Sequence, residues 1–280
     1  MTARIVAQHI SKRLGQPIVV DNRPGASEQV AATYVAGSAP DGYTVMLIST
    51  IGLSVNPALY SKSMRYDPNK DFAPIIHAVS IPSVVVVNPV LPVSNMKELT
   101  AYIKSHPGSV SYASAGNGAP SHLGMELYKR AVGVDAVHVP YRGGAAALQD
   151  LMANQVQVMM ALAPEGMALA NAGKLKALAV TSAKRSTIYP TLPTVAESAV
   201  SGFELDFWYA FVAPANTPNE IISKLNSAFN AALNEPEIRN QLLERELLVT
   251  GGPASKLSEI QRADAIKFKK VIDEAGIKID

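Results

Sequence analysis

Val110-Ser111-Tyr112-Ala113-Ser114-Ala115-Gly116-Asn117-Gly118-Ala119-Pro120-Ser121-His122 is the segment on which the fold turns. Val110 to Ala113 is a short β-rich run. A loop of small residues, Ser114 to Ala119, follows it. Pro120 then opens a helix that carries Leu123, Leu127 and Tyr128 on one face. The order is strand, Gly-rich turn, helix N-terminus. The first N–H groups of a helix have no internal partner, and the dipole there is positive. Glycines let the backbone come close to a ligand because no Cβ stands in the way. The segment reads either as an anion cradle for a carboxylate or phosphate or as an ordinary βα turn.

Working outward, β and α signals alternate. Val6, Ala7, Ile10 and Leu14 form a helical stripe ended by Gly15, and Ile18-Val19-Val20 reads as a short buried strand. A helix over 30–36 and a doubly covered strand over 44–48 follow. Phe72 to Ala78 and Val84 to Val87 read as two strand pieces. Ser94 is placed to cap a helix closed by Pro107-Gly108. Downstream of the Gly-rich loop come strands over 136–140, 156–161 and 175–181, with helices over 145–152 and 165–172 between them. A Pro-punctuated loop spans 189–193, and a β-rich run covers 207–212. The end turns helical. Thr217-Pro218-Asn219-Glu220 has capping-box spacing with Pro at the first helical position. A short helix starts at Pro236, and a long one runs from about Ser255 to Ala275. Strands separated by helices predict βαβ units and parallel sheet.

Composition bounds the class. A chain of 280 residues, 48% hydrophobic and 17% charged, can bury a large core and favours two domains. A net charge of +2 is too small for a nucleic-acid surface. With no cysteine, thiolate catalysis and Cys-ligated metal are excluded. His9, His77, His106, His122 and His138 show no metal-ligand spacing, so no cofactor or metal is expected. No run is long and apolar enough to span a membrane, and Met1-Thr2-Ala3-Arg4 enters helical periodicity directly, so a signal peptide is not expected in this stretch. Val84–Val87 and Asp206–Ala213 read as crossings between domains. That gives domain I from 1–84 plus 209–280 and domain II from 85–208, with hinges near 84–88 and 206–213. Ligands of such sheets sit beyond the carboxyl ends of strands.

Nine blocks carry a resemblance. They run from Val19-Val20-Asp21-Asn22-Arg23-Pro24-Gly25 and Ala39-Pro40-Asp41-Gly42-Tyr43-Thr44, through Asn56-Pro57-Ala58-Leu59-Tyr60, Asp71-Phe72-Ala73-Pro74-Ile75 and Ser114-Ala115-Gly116-Asn117-Gly118. They continue with Val139-Pro140-Tyr141-Arg142-Gly143, residues 172–181, Phe207-Trp208-Tyr209 and residues 213–218. In this collinear order the chain resembles the solute receptors of tripartite tricarboxylate transporters, the Bug proteins. The resemblance implies an α/β, two-lobed periplasmic-binding-protein-like (type II) fold, with two βαβ domains joined by two hinge strands. It also implies a periplasmic monomer that closes around a small carboxylate (a di- or tricarboxylate, an aromatic acid or an amino acid) and hands it to membrane permease subunits. Relatives begin with a strand, a Gly-rich ligand loop and an Asp before the first helix. This chain starts at the point matching that helix, so the first strand is expected to be lacking.

The resemblance places the second-lobe ligand loop at Ser114, Gly116, Asn117, Gly118, Ala119, Ser121 and His122. In the first lobe the candidates are Ser49, Thr50 and Gly52, in the loop after the 44–48 strand, where the short polar residues would donate hydrogen bonds or cap the next turn. Tyr141 and Arg142 end a strand before Gly143-Gly144, a second cradle geometry in which Arg would grip a carboxylate or simply lie on the surface. Glu165, at another strand end, would pair with a ligand ammonium or a water. Tyr209 would line the cleft, with Trp208 in the core or beside it. A competing reading is a nucleotide-dependent α/β enzyme. Against it, the Gly116–Ser121 segment departs from GxGxxG at the third glycine, and no GxxxxGK[ST] or GxSxG is present. Ser114 with His122 is the one conceivable nucleophile–base pair. A ligand-sensing receptor for a membrane signalling partner would use the same closure.

Overall fold

The computed structural model describes residues 2–279. The chain folds into two compact units, one from the residues up to Ser80 with Trp208–Lys270, the other from Ile81–Phe207 with the segment from Val271 onward.

In the first unit, α1 (Thr2–Leu14) buries Ile5, Val6, Ala7 and Ile10, and Gly15 closes it at φ 65°. A left-handed turn, Ala26–Glu28, leads into α2 (Gln29–Ala36). β1 (Met46–Ser49) runs into a wide turn, Ile51–Val55, and α3 (Asn56–Leu59). β2 (Phe72–Val87) begins here and continues past Ser80 into the second unit. In the second unit follow α4 (Met96–Ser105), β3 (Ser111–Ser114), α5 (Pro120–Val132), β4 (Val137–Pro140), α6 (Gly144–Met152), β5 (Val158–Leu162), α7 (Ala163–Asn171), β6 (Lys176–Val180) and α8 (Val195–Ser198). β7 (Asp206–Pro214) leads back to the first unit, which is completed by α9 (Asn219–Leu233), α10 (Pro236–Leu243), β8 (Leu248–Val249) and most of α11 (Ala254–Ala275).

Within the first unit, β1 pairs antiparallel with β7 and the early part of β2 with β8. Its core gathers Val35, Ile48, Leu53, Phe72, Trp208, Val212 and Leu257. Within the second unit, the later part of β2 pairs antiparallel with β5 and β6, while β3 runs parallel to both β4 and β5. Val84, Val86, Ala113, Leu148, Leu151, Met159 and Met167 fill that core.

The sheet is thus mixed rather than wholly parallel. β2 and β7 run through from one unit to the next instead of returning by a helix, so they fall outside the βαβ pattern and pair antiparallel. The 72–78 and 84–87 pieces are one strand of 16 residues. Ile18-Val19-Val20 forms no strand; Val19 is 87% exposed, and the Ile18 N–H donates to the Ser11 hydroxyl at 3.0 Å because no strand lies beside it among the described residues. The cap of α4 is Asn95, one residue beyond Ser94. Its side chain accepts from the Glu98 N–H at 2.9 Å, while Ser94 donates to the Glu98 carboxylate. The capping box at 217–220 does not form. Pro218 is the N-cap, and the Thr217 hydroxyl donates to the Pro214 carbonyl at 2.7 Å.

Candidate functional site

In the second unit, β3 delivers the chain to a loop that bends twice through the left-handed region, Gly116 at φ 127° and Gly118 at φ 73°. A Cβ on Gly116 would meet the Tyr141 carbonyl at 3.4 Å, an ordinary contact, so its φ rather than its space calls for glycine. Ala119, extended at φ −65° and ψ 158°, caps α5, and Pro120 occupies its first turn.

Most of the loop's donors are engaged inside the loop. The Ala115 N–H donates to Ser121 Oγ at 2.9 Å, the Gly116 N–H to Ser114 Oγ at 3.2 Å, and the Gly118 N–H to His122 Nδ1 at 3.1 Å. The Ala119 N–H donates to the Gly116 carbonyl at 3.1 Å. Among the described residues, the N–H groups of Asn117 and Ser121 make no such bond. They remain as donors at the positive end of a 13-residue helix. Asn117 is exposed, whereas Ser114, Ser121 and His122 are buried. The two serines and His122 therefore shape the loop, and Asn117 presents it.

A stack supports the loop from below. The rings of His122 and His138 lie 3.8 Å apart, and Tyr112 stacks on His138 at 4.8 Å. His138 Nε2 meets Ser114 Oγ at 2.6 Å. Tyr112 donates its hydroxyl proton to Glu126 at 2.6 Å, and Lys129 bonds the same oxygen at 2.8 Å. Burial pushes His138 down to about 4, helped by the neighbouring His122 and Lys129 and opposed by Glu126. Burial also lowers His122. Two neutral imidazoles stack without mutual repulsion, and only a neutral His122 can accept from Gly118. Burial raises Glu126, but its bonds from Lys129 and Tyr112 and the Lys129 charge outweigh that and hold it below the ordinary carboxylate range. The conceivable Ser114–His122 pair does not form among the described residues. Ser114 meets His138 instead, at 0% exposure, where no substrate reaches its hydroxyl.

Tyr141 follows β4, and its hydroxyl donates to Asp150 at 2.8 Å, which fixes the ring. Arg142 is exposed and makes no ion pair among the described residues. Gly143, at φ 115°, precedes α6, and the Glu165 carboxylate crowds that helix start. A Cβ on Gly144 would lie 2.6 Å from Glu165 Oε2. The second cradle geometry is therefore faced by the chain's own acid.

In the first unit, Ser49 and Tyr209 are direct cross-strand partners of β1 and β7. Thr50 ties those strands together, its hydroxyl accepting from the Trp208 N–H at 2.9 Å. Trp208 is in the core, donating to Asp264 at 2.7 Å with its ring edge-on to His77. Sequence reasoning missed Glu28. Its carboxylate accepts from the Ser49 N–H at 3.1 Å, and its charge raises the Tyr209 hydroxyl, which burial had already raised. The left-handed turn that brings it there has no glycine at 26–28, so no residue type announced it. Among the described residues, no group of three or more metal-ligating side chains comes together, and no helix is long and apolar enough to cross a membrane.

The comparisons with known proteins agree with this architecture. Residues 2–277 match the model of the tripartite tricarboxylate transporter family receptor. The protein BugT of Bordetella pertussis is 35% identical over 241 residues, 84% of this chain and 72% of BugT. A Rhodopseudomonas palustris protein solved with adipate superposes at a TM-score of 0.84 with 35% identity, over 99% of this chain and 93% of that one. MatC of the same organism, solved with malate, superposes at 0.79 with 30% identity, over 97% and 93%. The chain belongs to the tripartite tricarboxylate transporter receptor family, the TctC or Bug solute-binding proteins.

Proposed function

We propose that this chain is a periplasmic receptor that closes around a small organic carboxylate and delivers it to a tripartite tricarboxylate-type membrane transporter, without catalysing a reaction on it. The observation that carries this reading is the 114–121 loop. Among the described residues it leaves two N–H groups without a bond, that of Asn117 in the loop and that of Ser121 in the first turn of α5, and two such donors suit one carboxylate. Adipate and malate in two relatives support the ligand class. Ser49, Thr50, Ser114, Gly116, Asn117, Gly118, Ala119, Ser121, His122, Tyr141, Arg142, Glu165 and Tyr209 form the proposed ligand-binding set, the buried members acting as props for those that meet the ligand. Binding would shift a population toward the closed state through contacts made only there.

Thermal melts against a panel of di-, tri- and aminocarboxylates, with NAD and ATP alongside, test this reading. A ligand at about 100 times its Kd adds about 2.7 kcal/mol, which is several degrees in a chain of this size. A shift with a carboxylate supports the receptor; a shift with a nucleotide alone overturns it. Calorimetry on Gly118→Val tests the loop. A β-branched residue at φ 73° is strained, the loop conformation is lost, and affinity falls about tenfold or more. Unchanged affinity would show that the ligand binds elsewhere.

A further inference from the structure

Ala26, Ser27 and Glu28 are three consecutive non-glycine residues in the left-handed region, at φ 47°, 52° and 73°. L side chains rarely adopt that conformation even singly. Asn56 Nδ2 holds the turn by donating to the Ser27 carbonyl at 2.7 Å, and the Ser27 and Tyr60 hydroxyls meet at 3.2 Å. The effect of the turn is to deliver one side chain to the carboxyl end of β1. Glu28 Oε2 accepts from the Ser49 N–H at 3.1 Å, and the Gly52 N–H bonds the same carboxylate. Gly52 is needed for this approach, since a Cβ there would stand 2.6 Å from Glu28 Oε2.

The backbone donors at this strand end are therefore already loaded with a carboxylate that belongs to the chain. A ligand anion arriving beside Ser49 and Tyr209 would meet a like charge a few ångströms away and no free Ser49 N–H. A carboxylate accepts at about four lone-pair positions; the Ser49 N–H, the Ser49 hydroxyl and the Gly52 N–H fill three of them, so Glu28 keeps one for a donor from outside. The group that fits is a cationic nitrogen.

We propose that Glu28 is a specificity-determining residue, one that makes the first unit accept the protonated amine of an aminocarboxylate and reject the second carboxylate of a dicarboxylate. The inference rests on the carboxylate reading above and names the chemistry at the ligand's other end.

The test is calorimetry on the full chain with length-matched pairs: succinate and β-alanine, glutarate and γ-aminobutyrate, adipate and δ-aminovalerate. The wild type is expected to bind at least one aminocarboxylate about tenfold or more tighter than its matched dicarboxylate. Glu28→Gln keeps the shape and removes the charge; Glu28→Gly relieves the left-handed backbone and so folds even where Gln does not. Either is expected to shrink the preference about tenfold without changing the melting temperature in the ligand-free state by more than a few degrees. Equal or tighter binding of the dicarboxylates by the wild type, or an unchanged preference in a folded variant, overturns the assignment to Glu28 and leaves the carboxylate reading standing. No binding of any member overturns the carboxylate reading and this inference with it.

Discussion

Three histidines set the response to acid. Burial pushes His77 down to about 4, with a contribution from Lys256, and burial lowers His138 to about 4 and His122 in the same direction. In the unfolded chain each titrates near its ordinary value of about 6.5. Between those limits the unfolded state binds more protons, so the stabilisation is fully present above about pH 6.5 and is lost as the pH falls toward about 4. Glu28, raised by burial, acts in the opposite sense, losing its contribution as the pH rises through its folded value, but it stands against the three histidines and against lowered carboxylates such as Glu126 and Glu235, whose contribution is also lost as the pH falls. Calorimetric melts should therefore fall steadily across that acid window, and His138→Gln or His77→Phe should flatten the fall. An equal slope in both variants would show that carboxylates dominate. His77→Phe has a second consequence at neutral pH. Among the described residues, both ring nitrogens of His77 are buried without a hydrogen-bond partner, and an unsatisfied buried polar group costs about 1–3 kcal/mol. The apolar ring should raise the melting temperature by about 2 °C or more.

At the scale of elements, α4 gives a sharp test of which residue caps it. Asn95→Ala removes the acceptor of the Glu98 N–H, together with one bond to the Glu98 carboxylate, and should cost about 1 kcal/mol, whereas Ser94→Ala removes only one of the three bonds to that exposed carboxylate and should cost a few tenths. Urea unfolding measures both, and a larger loss at Ser94 would reverse the assignment. The two candidates adjoin in sequence and both suit a cap; backbone conformation chose, and no pattern of types reports it. The same division runs through the whole molecule. Helices with a clean apolar stripe and a stop residue, such as α1 with Gly15, were legible because periodicity and punctuation are local properties. The direction of β2 and β7 was not, because the pairing of a strand depends on where the chain goes next. Ile18-Val19-Val20 has strand composition but no neighbour, and composition cannot supply one. In the site, the 114–121 loop was readable from its glycines and Pro120. The consumption of its N–H groups by Ser114, Ser121 and His122 was not, and neither was Glu28, whose turn defies its residue types.

At the scale of the whole molecule, the chain passes from one unit to the other three times, and each passage lies inside regular structure: within β2 after Ser80, within β7 after Phe207, and within α11 after Lys270. None is a loose linker. Unfolding either unit would strip partners from half of a strand or the end of a helix that the other unit needs, so a single calorimetric transition is expected. The last passage can be tested alone. Val271 and Ile272, each 3% exposed, and the Glu274 carboxylate, 3.2 Å from Arg130, lie on the part of α11 that belongs to the second unit. The ion pair is half exposed and contributes little. The two apolar side chains contribute about 1.5–3 kcal/mol each on burial. Ending the chain at Lys270 should therefore lower hydrogen-exchange protection of the β3 and β5 amides about a hundredfold or more. If the units open independently, β1 and β8 should keep their protection; if they open together, as the three structured passages imply, protection should fall in both by a similar factor. Unchanged protection in β3 and β5 would show that the end of α11 is dispensable to the second unit.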